Sequence, residues 1–228
     1  MRKIFTVFLL TILLLSTTNT TFAQSYESTT SMIEKFNNNG VEYTFDDVLS
    51  LEPYIQVKDS LFIFDVEAAN DAGVEQELIK GQQQYLDFLN QQAKDNILSI
   101  SDDLTIQNLS DNNNLYQSTS ITTFAKCTPK GINTNPQQHW WGYSVKTDSC
   151  VTADIIVELN TVAAGGTIAA GSLAFLGIFF PPLLIPGAIS GAGAGYFWLL
   201  ATRLDANNNG RGVTTDMTWA LAFDITPQ

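Results

Sequence analysis

Cys127 and Cys150 are the chain's two cysteines, and His139 is its one histidine. The cysteines stand 23 residues apart, with no Cys-x-x-Cys spacing and no histidine beside either. A reactive thiolate needs a neighbour that lowers its pKa, so this pair suits a disulfide. Closing such a loop constrains the unfolded chain by about 3 kcal/mol in the chain-entropy account. Two buried free thiols are the other reading. A four-ligand Cys/His zinc site needs more ligands than these, and no metal is expected.

His139 sits beside Trp140 and Trp141, where it reads as a capped or surface residue rather than a general base. Asp46-Asp47 and Asp102-Asp103 are adjacent carboxylates, and sequence neighbours point apart where paired-carboxylate catalysis needs convergence. The Gly191-Ala192-Gly193-Ala194-Gly195 run follows no strand and lacks a ribose-binding acid, which argues against a dinucleotide site. No nucleophile elbow, phosphate loop or zinc helix is present. The expectation is therefore a chain with no catalytic residue and no cofactor.

The elements around these residues begin with residues 1–23. Arg2 and Lys3 precede an apolar run, and Thr21-Phe22-Ala23 places small residues where a signal peptidase cuts. The run is too short to span a bilayer. Residues 1–23 thus read as a signal peptide. Export to an oxidising compartment favours the disulfide.

Charge then divides the chain. Residues 24–120 carry 17 acidic and 4 basic side chains, net −13, whereas residues 121–228 carry 6 and 5, net −1. A total of −12 argues against nucleic-acid binding, which depends on neutralising phosphates. In the acidic half, residues 31–37 read as a short helix. Residues 54–57 and 61–64 read as a hairpin turned by Lys58-Asp59-Ser60. A helix follows with its apolar stripe at Val74, Leu78, Tyr85, Leu89 and Ala93, predicted to pack on that hairpin. Residues 99–120, rich in Asn, Asp and Ser, read as a linker. The module acts either as a solubilising surface domain or as a shield over the apolar half.

Between Glu158 and Arg203 lie 44 residues without a charge. Residues 161–180 and 183–202 are each long enough, as helices, to cross a hydrocarbon core, and Pro181-Pro182 and Pro186 break them apart. Gly166, Ala170 and Ala174 recur every four residues in one arm, as do Gly187, Gly191 and Gly195 in the other, the spacing of a glycine zipper. Phe175, Phe179, Phe180, Phe197 and Trp198 would then face lipid. Strand-like runs bracket the hairpin: residues 139–145, and the period-two alternation over 213–225. Trp140, Trp141 and Tyr143 suit either a bilayer interface or a small aromatic core.

The run LEPYIQVKDSLFIFD at residues 51–65, the helix after it to Asn90, and His139-Trp140-Trp141-Gly142 resemble a group of small secreted proteins of Gram-positive bacteria, mostly uncharacterised and some bacteriocin-like. The resemblance implies an extracellular bacterial protein and carries over no catalytic residue. Together these patterns predict an α+β fold with an acidic N-terminal helix/hairpin module (24–98), a linker (99–120), and a C-terminal apolar helical hairpin bracketed by two β-strands (121–228). The predicted function is that of a secreted, membrane-active, bacteriocin-like protein that inserts its glycine-rich hairpin. Its partners would be the lipid bilayer of a target cell, an immunity protein, and further copies of itself in the membrane. The alternative is a soluble secreted or surface-associated binding protein with the hairpin as its buried core.

Overall fold

The computed structural model describes residues 36–38, 41–109, 127–165 and 193–228, a mixed α+β chain. Strand β1 (Phe36–Asn38) pairs antiparallel with β2 (Val41–Tyr43). The described end of the stretch expected to be helical is therefore strand, because residues 41–43 offer it a pairing partner. Residues 31–35 lie outside the described residues.

Thr44 then caps helix α1 (Phe45–Leu49). Its hydroxyl accepts from the Asp47 N–H at 3.1 Å, while the Asp47 carboxylate accepts from the Thr44 N–H at 2.7 Å, a closed capping box. A 3₁₀ turn, Glu52–Tyr54, leads into the hairpin of β3 (Ile55–Lys58) and β4 (Leu61–Phe64). Asp59 and Ser60 at its tip have φ of +53° and +60°, the left-handed pair that a two-residue type I′ turn requires. Asp65 caps α2 (Val66–Asp71), and α3 follows (Gln76–Lys94). The expected stripe holds: Leu78, Tyr85 and Leu89 are buried in a core with Ile55, Phe62 and Phe64 of the hairpin.

Hairpin β5 (Leu98–Ile100) and β6 (Ile106–Asn108) corrects the linker's start, because Leu98, Ile100 and Ile106 are buried in that same core. Three apolar side chains at alternating places outweigh a polar composition. Residues 110–120 lie outside the described residues.

The second half is a four-stranded antiparallel sheet of β7 (Gln137–His139), β8 (Gly142–Thr147), β9 (Val213–Thr218) and β10 (Phe223–Pro227), in the order β10-β9-β8-β7. The expected pairing across the apolar segment is found, with Tyr143 opposite Met217 and Val145 opposite Thr215. Two breaks were hidden by the alternation. Trp140-Trp141 is the turn between β7 and β8, and residues 219–222 turn β9 into β10, with Leu221 at φ +65°.

Helices α4 (Ser149–Ala163) and α5 (Ala194–Asn207) form the second core with the sheet, where Ile155, Leu159, Leu200 and Leu204 meet Tyr143, Val145, Met217 and Phe223. They run antiparallel, since the Asn208 amide after α5 donates to the Ser149 carbonyl at the start of α4 (3.2 Å). The arms differ from the expected 161–180 and 183–202. Asp148 caps α4 twelve residues earlier, accepting from the N–H groups of Cys150 and Val151 at 2.9 Å each, and α5 continues through Arg203 and Asp205. Ionic side chains are tolerated there because both helices have an outer face to solvent.

Candidate functional site

Helix α3 packs the first core against the two turns of the sheet, at Trp140 and at Trp219-Ala220. Its buried face runs Leu78, Gln82, Tyr85, Leu89, so a polar residue occupies one place in an apolar stripe. Gln82 is fully buried, and both ends of its amide are bonded: Nε2 donates to the Trp140 carbonyl (3.0 Å) and Oε1 accepts from the Trp219 indole (2.8 Å). The Tyr85 hydroxyl donates toward the carbonyls of His139 (3.1 Å) and Gly142 (2.8 Å). Burial raises the Tyr85 pKa, which keeps that hydroxyl a donor. Gly81, one residue away, admits the Trp219 ring where a Cβ would overlap it. Trp140 and Ala220 complete the seam, both buried in the first core. Sequence reasoning missed Gln82 and Gly81, and the signal for them was the break in the stripe.

A groove opens beside this seam. Glu52, Asp103, Gln137, His139 and Trp141 line about 360 Å³ of it, and a neighbouring stretch of about 770 Å³ shares Glu52, Asp103 and Leu104 with it and runs along β3. The fold thus brings His139 to one groove with two carboxylates that are distant in sequence. The imidazole lies flat on Trp141, with centroids 4.5 Å apart and planes 3° apart, and Phe45 tilts on the same indole at 5.1 Å. Asp103 is exposed and accepts from the Thr105 N–H at 3.1 Å, and its hydrogen bonds with Thr105 hold its carboxyl below the usual range. Among the described residues, no cluster of His, Cys, Asp and Glu can hold a metal ion. The carboxylates and amides of the groove are suited to accepting hydrogen bonds and cations.

Burial lowers the pKa of His139, and Asp216 opposes that shift. A folded pKa below the unfolded value near 6.5 means the unfolded chain binds the proton more readily. This contribution to stability is therefore complete above about pH 6.5 and falls as pH drops through that value. His139→Gln should flatten the slope of unfolding free energy just below about pH 6.5, as read by urea titration; an unchanged slope would assign it to other groups.

The cysteines are joined, their Cα atoms 5.8 Å apart, and no free cysteine remains among the described residues. The bond ties the segment before β7 to the first turn of α4. Asn133 fastens the same place, donating to the Asp148 carboxylate and accepting from its N–H (2.6 Å each).

Of the residues expected to meet lipid, Gly166, Ala170, Ala174, Phe175, Phe179, Phe180, Gly187 and Gly191 lie outside the described residues. Gly195, Phe197 and Trp198 stand on α5. Phe197 is only 4% exposed and packs edge-on against Tyr196 in the second core in this fold. It falls on the sheet-facing stripe with Leu200 and Leu204. Trp198 is 50% exposed on the outer face. A Cβ on Gly195 would meet nothing within 4 Å among the described residues. Trp140 and Tyr143 are buried and Trp141 half-buried, so the aromatic trio serves the two cores in this fold. Among the described residues, no helix is long and apolar enough to cross a membrane.

Comparison with known protein families, curated proteins and solved structures finds no match for this chain.

Proposed function

We propose that this is an exported, membrane-active protein of the bacteriocin-like kind, whose uncharged span at residues 159–202 is the part that meets the bilayer of a target cell. In this reading residues 1–23 direct export, the acidic module keeps the chain soluble on the way, and the apolar helical hairpin is the working element. The observation that carries the reading is the α4–α5 stem. Its two antiparallel helices are rooted in the sheet and lead into the two ends of residues 166–192, which carry no charge. Val157 and Trp198 also expose apolar surface on the stem.

The test is dye release from phosphatidylcholine vesicles by the whole exported chain. A lysine near the centre of a membrane helix costs about 2.5–3.5 kcal/mol, roughly a hundredfold in partition. Leu173→Lys and Ala192→Lys, toward the middle of the two arms, should each therefore suppress release by about two orders of magnitude. Failure of the unaltered protein to release dye or to sediment with vesicles would reject the proposal.

A second reading has an observation of its own. Phe197, Leu200 and Leu204 of one helix, and Ile155 and Leu159 of the other, already form the core beneath the sheet. That supports a soluble exported binding protein in which the helices are structural. It predicts a monodisperse protein with one cooperative unfolding transition and no lipid binding.

A further inference from the structure

The β3–β4 hairpin treats its two edges differently. Antiparallel pairs alternate between hydrogen-bonded and non-bonded, and a two-residue loop closes on a bonded pair. Here the closing pair is Lys58 and Leu61, so the next pair, Val57 and Phe62, turns its backbone groups outward on both sides. On the β4 side those groups are satisfied. The Phe62 N–H donates to Asn90 Oδ1 at 2.7 Å, and the Phe62 carbonyl accepts from Asn90 Nδ2 at 2.8 Å, so one asparagine amide does the work of a neighbouring strand. On the β3 side, the corresponding N–H and carbonyl of Val57 meet no partner among the described residues.

That open edge is not bare surface. Ile55, Gln56 and Val57 form one wall of the 770 Å³ groove, and Glu52, Asp102 and Asp103 stand around it with no Lys or Arg among the lining residues. The volume lies in the range of sites that hold a ligand. An exposed strand edge accepts an extended chain through main-chain bonds, and flanking side chains choose its sequence. The carboxylates choose positive charge.

We infer that the β3 edge takes a basic, extended peptide segment by strand addition, with the Val57 N–H and carbonyl bonding to its backbone and Glu52, Asp102 and Asp103 receiving its lysine or arginine side chains. The site is separate from the α4–α5 stem, and the inference does not depend on membrane activity.

The probe is a dye-labelled nonapeptide of alternating lysine and valine, with its binding to the whole protein read by fluorescence anisotropy. Glu52→Gln together with Asp102→Asn and Asp103→Asn should weaken binding at least tenfold and flatten its salt dependence. Val57→Pro removes the outward N–H without touching a bonded pair, and should also weaken binding at least tenfold. Because the proline can disturb the hairpin, the same question is put to the unaltered protein with peptides N-methylated at alternate residues. Strand addition requires one methylation register to weaken binding at least tenfold and the other to leave it within about twofold. Equal binding of both methylated peptides and the parent would overturn the inference, as would equal binding of a glutamate-valine nonapeptide. Displacement of the peptide by spermine at matched charge would also overturn it, leaving only a charged surface.

Discussion

Gly81→Ala should destabilise the protein by about 1–2 kcal/mol, although the substitution improves the helix in isolation. Inside a helix, alanine is favoured over glycine by about 1 kcal/mol, so a Gly81 on a free surface would make the variant more stable. The new methyl group would instead overlap the Trp219 ring. If the ring stays, overpacking costs about 1–3 kcal/mol. If it swings away, its indole leaves Gln82 Oε1, now 2.8 Å distant, and a fully buried amide oxygen loses its donor. That loss costs about 1–3 kcal/mol. Either path outweighs the gain in propensity, and the sign of the change is the discriminating result. Urea titration measures it. In a Trp219→Ala background the clash is absent, so Gly81→Ala should become neutral or stabilising there. Stabilisation in the unaltered protein would mean that Trp219 does not dock on α3.

The same corner shows where the sequence was legible. Helix α3 and the β3–β4 hairpin were readable from their periods: apolar steps of four and seven on one, interrupted at Gln82, and two short β runs around Asp59-Ser60 on the other. The β8–β9 pairing was readable because alternation marks a half-buried strand whatever its partner. The turn at residues 219–222 was not, because Trp219, Leu221 and Phe223 continue the alternation through it. Leu221 is held at positive φ by contacts remote in sequence: it is buried, and its carbonyl accepts from the Tyr196 hydroxyl at 3.1 Å. Trp140-Trp141 misled for a related reason. Two aromatic residues carry strand propensity, yet here they make a turn, because one side chain is claimed by the first core and the other by His139 and Phe45. The groove was hidden altogether, since Glu52, Asp103 and His139 converge only through tertiary packing.

Replacing both Cys127 and Cys150 by serine should cost about 3 kcal/mol, the chain entropy restored to a loop of this length. The effect should not be independent of its surroundings. Asp148 is 8% exposed and caps α4 while its carboxylate and N–H hold Asn133, so the disulfide and the Asn133–Asp148 pair fasten the same incoming segment to the same helix end. Asp148→Ala alone should cost about 2 kcal/mol, combining a lost cap with polar groups left unpaired. Once the disulfide is gone, the incoming segment is looser and part of that second cost is already incurred. The combined variant should therefore fall short of additivity by about 1 kcal/mol in a double-mutant cycle. Strict additivity would mean that the two fastenings act on separate parts of the fold. The bond itself has a more direct check. Unfolded protein kept from reductant should take up no thiol label, and two labels per chain after reduction; a label on either cysteine beforehand would leave the expected stability loss without a source.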